Sequence, residues 1–195
     1  MKHILRTSKP EILDLIKAWF VVSLAFTIVM VGVSFSINFI MGFLIAALTV
    51  GVGFIAHELG HKFVAQHYGC FAEFRAYNNM LLLAIIMSFV GIIFAAPGAV
   101  MIAGHIDRIR NGRISAAGPF MSLLVALIFL ILLFFLPSFK VIFLYGFIIN
   151  SWIALFNLIP FPPFDGRKIY KWNKAIYTVM IIIAFAFMLF QYSMR

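Results

Sequence analysis

His57-Glu58-Leu59-Gly60-His61 closes an apolar run about 20 residues long, the length a helix needs to cross a bilayer. Such a run has to be helical, because lipid leaves every backbone polar group to be satisfied within the segment. On that helix the two imidazoles stand at i and i+4, one turn apart on one face. Both can reach a single zinc ion at about 2.0–2.1 Å. Glu58 sits between them, beside the metal and not needed as a ligand, placed to take a proton from water and later return it. Ionisable groups at membrane depth are costly and mark function. The chain has only six acidic residues and five histidines, and this pentapeptide holds three of them. A solvated face or a satisfied core histidine would not bring Glu58 here without a partner.

Composition agrees with a membrane setting. The chain is 65% hydrophobic with mean hydropathy +1.11, and 11% of its residues are charged, against about 25% in soluble domains. It reads as an integral, multi-pass membrane protein whose residues 1–195 form one membrane-embedded domain. The net charge of +9 is scattered over segment ends, with no basic tract, so it reads as a topology signal and excludes a nucleic-acid partner. A single cysteine, Cys70, excludes an internal disulfide and a cysteine-based metal cluster.

The expected fold class is an all-α polytopic membrane protein with about six hydrophobic segments and a short re-entrant extended strand. Met1–Lys17 reads as an interfacial amphipathic segment anchored by Lys2, Arg6, Lys9 and Lys17. Spans are expected over Ala18–Ile37, Phe39–Ala65, Ser115–Leu136, Val141–Ile159 and Ala175–Tyr192. His67–Asn79 reads as a polar break. Met80–Ala96, about 17 residues, is barely long enough to span. Pro97 and Gly98 end it, and the residues to Gly104 read as extended. Charge makes this region re-entrant. If Met80–Ala96 crossed fully, Arg108, Arg110 and Arg113 would fall on the side opposite Arg167, Lys168, Lys171 and Lys174, against the positive-inside rule. The stretch from Asn79 to Gly104 is therefore expected to enter and return on one side. Because irregular backbone survives at depth only against protein or water, Pro97–Gly104 is expected to line a cavity.

A catalytic zinc takes three protein ligands and keeps one position open. Asp165 is the best third ligand. It follows the helix-breaking Pro160-Phe161-Pro162-Pro163, precedes Gly166, and the charge rule puts it on the face of His57 and His61. Locally it also reads as the N-cap of a following helix. Glu73 and His105 remain alternatives, whereas Asp107 stands among arginines and His67 suits a water-facing loop.

These residues resemble the site-2 protease family of intramembrane zinc metalloproteases. The resemblance rests on His-Glu-Leu-Gly-His at 57–61, Ala117-Gly118-Pro119 opening a later span, and Asn157-Leu158-Ile159-Pro160 followed by Pro163-Phe164-Asp165-Gly166. It covers roughly positions 45 to 170. It implies a zinc endopeptidase that hydrolyses peptide bonds in transmembrane segments of membrane-protein substrates. One catalytic Zn2+ would be held by His57, His61 and Asp165, with Glu58 and Asn157 catalytic; the charge rule separately opens the active site to the cytoplasmic side. It implies substrate binding by added-strand pairing, for which Pro97, Gly98, Ala99, Val100 and Met101 are the candidates. The chain departs from many members in carrying Arg167 where a second glycine follows Asp-Gly, and it has no room for a PDZ or CBS-like insertion. The alternative function is a zinc-binding membrane protein without proteolytic activity, a transporter or a pseudoprotease.

Overall fold

Five helical stretches are long and apolar enough to cross a bilayer: Lys9–Val31, Ile37–His67, Arg108–Phe135, Pro137–Asn157 and Lys174–Ser193. They belong to a computed structural model that describes residues 6–93 and 97–194. The protein is an all-α polytopic membrane protein with one small sheet. In chain order the elements are α1 (Lys9–Val31), α2 (Ile37–Ala46), a π-helical turn (Ala47–Gly51), α3 (Val52–His67), β1 (Phe71–Ala76), α4 (Asn78–Ser88), β2 (Gly98–Ala103), α5 (Arg108–Phe135), α6 (Lys140–Asn157), α7 (Gly166–Trp172) and α8 (Lys174–Ser193).

The amino-terminal polar stretch is not a separate surface helix. The Ser8 hydroxyl accepts from the Glu11 amide, Pro10 occupies the first turn, and α1 runs unbroken to a stop at Gly32, where φ is 75°. Nothing between Lys17 and Ala18 breaks a helix, and Glu11 turns inward to a fully buried position. Residues 1–5, with the expected anchor Lys2, lie outside the described residues.

The second span carries a one-turn irregularity just ahead of the histidine motif. A π-turn leaves carbonyls that the helix no longer satisfies. Here side chains of neighbouring helices satisfy them: Trp19 Nε1 donates to the Ala47 carbonyl at 3.1 Å, and Asn150 Nδ2 donates to the Thr49 carbonyl at 3.3 Å. A Cβ at Gly53 would overlap Asn150, so glycine is what admits the α6 side chain. Trp19 thus works inside the bundle.

The stretch expected as a polar break contains β1. Its strand character was masked by Glu73 and Arg75, which form an ion pair with each other on the strand. The third apolar run forms only an 11-residue helix, α4, too short to span. β1 and β2 pair antiparallel from Phe71↔Ala103 to Ala76↔Gly98. Because Ala76 and Gly98 are partners, the chain leaves and returns at one place, as the re-entrant expectation requires.

Packing centres on α5. Leu123 of α5 clusters with Ala154 and Leu158 from α6 and its end, Ile169 of α7, and Tyr177, Met180 and Ala184 of α8. On its other side Ile114 packs with Ala65, Cys70 and Ala72. A third cluster joins Ala18, Phe54, Phe74 and Leu81, fastening the hairpin to α1 and α3. The basic loops meet at one end of the bundle: Arg108 donates to the Lys171 carbonyl and Arg113 Nη1 to the Tyr68 hydroxyl.

Candidate metal centre

Three elements deliver the centre. α3 carries His57, Glu58 and His61. α5 packs against them closely enough that Ile114, Gly118 and Ser122, each four residues apart, face the imidazoles. The loop after α6 brings in Asp165. A Cβ on Gly118 would overlap the His61 ring and come within 2.7 Å of His57 Nε2, and one on Gly60 would stand 2.8 Å from the Ala117 carbonyl. The two helix surfaces therefore approach closely at the Ala117-Gly118-Pro119 stretch, and glycine on each helix makes that approach possible.

His57 Nε2 and His61 Nε2 are 3.1 Å apart. Asp165 Oδ2 lies 3.0 Å from His61 Nε2 and 3.6 Å from His57 Nε2. The opposite ring nitrogens are held by α5: His61 Nδ1 meets the Ile114 carbonyl at 2.8 Å and His57 Nδ1 meets Ser122 Oγ at 2.9 Å. A carbonyl only accepts, so His61 Nδ1 carries the hydrogen and Nε2 presents its lone pair. The serine hydroxyl can accept from His57 Nδ1 in the same way. Such outer partners orient metal-ligating histidines.

The donor set fits a zinc ion. Ligand atoms about 2.0–2.1 Å from a tetrahedral centre stand about 3.4 Å from one another, and the three spacings here run from 3.0 to 3.6 Å. Lone pairs converging at such distances call for a shared cation. Burial by itself pushes the Asp165 carboxyl upward; the facing imidazoles of His61 and His57 outweigh it and hold the group well below the usual carboxylate range. It stands ready as an anionic ligand.

Asp165 does occupy the N-cap position of α7, but its side chain accepts no cap hydrogen bond and turns to the histidines instead. A Cβ at Gly166 would collide with the Leu158 carbonyl, so the tight return that aims Asp165 needs glycine there. The other candidates lie elsewhere: His105 is exposed in the loop ahead of α5 and outside the converging group. Glu73 pairs with Arg75, Asp107 caps α5 by accepting from the Arg110 amide at 2.7 Å, and His67 stacks edge-on against Tyr68. Among the described residues, His57, His61 and Asp165 are the group able to hold a metal.

The centre opens on a cavity of about 750 Å³ walled by α1, α3, β2, α5 and α6, with Glu58, Asn157 and Lys168 on its lining. Asn157 Nδ2 donates to the Ile153 carbonyl at 2.9 Å and so spends one of its two N–H groups on its own helix. Pro97, Gly98, Ala99 and Val100 line the cavity, together with Ile102. Met101 does not, and it is 49% exposed. The ladder explains this. The Tyr77 amide donates to the Pro97 carbonyl at 2.9 Å. Alternation from that pair gives Ala99, Met101 and Ala103 the hydrogen bonds to β1 and leaves Gly98, Val100 and Ile102 with backbone groups on the other edge. Among the described residues that edge has no partner strand. Ser122, Ile114 and Lys168 were not singled out from sequence. Ser122 had a visible signal, a hydroxyl on the helix face of Gly118, whereas Ile114 acts through a backbone carbonyl that no side-chain pattern marks.

Fold and site together define a multi-pass membrane protein with a histidine–histidine–aspartate metal centre and an adjacent glutamate. Comparison with known proteins narrows the class. The chain is 38% identical over 197 residues to "Putative zinc metalloprotease MJ0611" of Methanocaldococcus jannaschii, covering 96% of this chain and 97% of that one. It is 29% identical over 150 residues to "Zinc metalloprotease MJ0392" of the same organism, covering 75% of this chain and 39% of that one. No family model matches. No solved structure matches. With likeness running through nearly the whole of the first relative, the chain belongs to this zinc metalloprotease family.

Proposed function

We propose that the protein is an intramembrane zinc endopeptidase of the site-2 protease type, hydrolysing peptide bonds in transmembrane segments of membrane-protein substrates. The observation that carries this reading is the convergence of His57, His61 and Asp165, with Glu58 beside them, on a cavity that also presents an open strand edge.

His57, His61 and Asp165 would hold the ion. When bound, zinc supplies Lewis acidity to the attacking water and the scissile carbonyl. Glu58 accepts the proton of the attacking water and passes it to the departing nitrogen, so the peptide gains one water and the enzyme regains its starting state. Asn157, on the cavity lining, helps stabilise the oxyanion with its second N–H. A substrate helix hides its carbonyls and has to unwind. The edge of β2 at Gly98, Val100 and Ile102 offers replacement hydrogen bonds to the extended chain. Water enters from the end where the basic loops meet, and the positive-inside rule makes that end cytoplasmic.

The test uses purified, zinc-loaded protein and a fluorogenic peptide carrying an apolar segment of about 20 residues in detergent micelles. Products cut within the apolar segment by wild type, and not by Glu58→Gln, are expected. Equal cleavage by both proteins, or cleavage confined to polar flanks, overturns the reading.

A further inference from the structure

A fully buried ion pair joins the amino-terminal helix to the residue after the second histidine. Lys62 Nζ lies 2.6 Å from Glu11 Oε2 and 2.8 Å from Thr7 Oγ1, and both charged side chains are 0% exposed. Desolvation makes such a pair a poor source of stability, and an apolar pair of similar size is often as stable. Its geometry points to a different use. The second oxygen, Glu11 Oε1, accepts from the Phe74 amide at 3.0 Å. Phe74 opposes Val100, and the ladder alternation turns its backbone groups away from β2. Glu11 therefore sits on the outer edge of β1. Gln66 of α3 does the same one step along, donating from Nε2 to the Ala72 carbonyl at 3.0 Å.

An antiparallel hairpin has two open edges, and either can template another strand. Here one edge is met at Phe74 and Ala72 by side chains from α1 and α3, and among the described residues the edge left open is the one on the cavity.

We propose that Glu11 is a positioning residue for the substrate strand, sealing the outer edge of β1 and tying the hairpin to α3, with Lys62 as its counter-charge. An incoming strand is then received on β2 alone, at a fixed distance from His57 and His61. The proposal rests on the strand-addition reading given above.

Two double variants separate the amide cap from the charge pair. Glu11→Leu with Lys62→Met removes both charges and the cap. Glu11→Gln with Lys62→Met removes both charges but keeps a carbonyl oxygen for the Phe74 amide. In the first, hydrogen exchange at Phe74 is expected to accelerate at least about tenfold, the scale of a lost capping bond. KM for the same fluorogenic peptide should rise about tenfold with kcat within about twofold. Zinc content should not change. The second variant should keep wild-type exchange and KM. Gln66→Ala opens the same edge at Ala72 without touching the buried pair, and carries the test if the first variant does not fold; its KM should rise about threefold. Wild-type exchange and KM in the first variant together with wild-type KM in Gln66→Ala, or an equal KM rise in both double variants, overturn the proposal. If the exchange pattern holds while zinc-loaded wild type leaves the peptide intact, edge sealing stands and the protease reading falls.

Discussion

His61 Nε2 stands 3.0 Å from Asp165 Oδ2, a contact between the C-terminal half of α3 and the residue that opens α7. The hairpin, α5 and α6 all lie between them in the chain. Asp165 is delivered by a return held with the Phe161 amide on the Ile159 carbonyl at 2.8 Å and the Phe164 amide on the Phe161 carbonyl at 3.0 Å. Removing the carboxylate should cost metal and leave the helices in place. Asp165→Ala is expected to weaken zinc binding by more than about 100-fold, beyond the range seen for losing an outer partner. Competition with a chromophoric chelator measures it; unchanged affinity would mean that Asp165 is not a ligand.

Ser122 tests the outer shell. It is fully buried on α5 and touches His57 Nδ1 at 2.9 Å. Ser122→Ala frees the ring to rotate and to change tautomer, and should lower zinc affinity by about 10- to 100-fold. The circular dichroism spectrum should not change. Full affinity in this variant would show that the hydroxyl does not orient the ring.

Gly118 tests the close approach of α3 and α5. A methyl group there would occupy the space of the His61 ring. In a free helix Gly→Ala is favourable by about 1 kcal/mol. Gly118→Ala should therefore retain helical content while zinc affinity drops at least about tenfold, because the imidazole has to leave its position. Retained affinity would contradict the packing described.

Some of this was legible in the sequence and some was not, for reasons that can be named. His57 and His61 were visible because helical spacing alone puts i and i+4 on one face. Asp165 was ambiguous from its neighbours, which fit a helix cap equally well; only the distribution of arginine and lysine over the loops brought it to the right end. β2 was visible through Pro97 and Gly98. β1 was not, because Glu73 and Arg75 give a strand the composition of a loop when their mutual pairing is unseen. Glu11 carries no local signal of its role, because its burial depends on Lys62, a partner that no local pattern reveals. The π-turn at Ala47–Gly51 has no composition of its own and owes its place to Trp19 and Asn150 on other helices.

The most direct measurement is anomalous diffraction at the zinc edge from crystals of the Glu58→Gln protein, which keeps the ligands and cannot turn over. The account predicts a single peak about 2.0–2.2 Å from His57 Nε2, His61 Nε2 and an Asp165 carboxylate oxygen. A protein purified with zinc present that shows no peak, or a peak without Asp165 in its coordination shell, would contradict it.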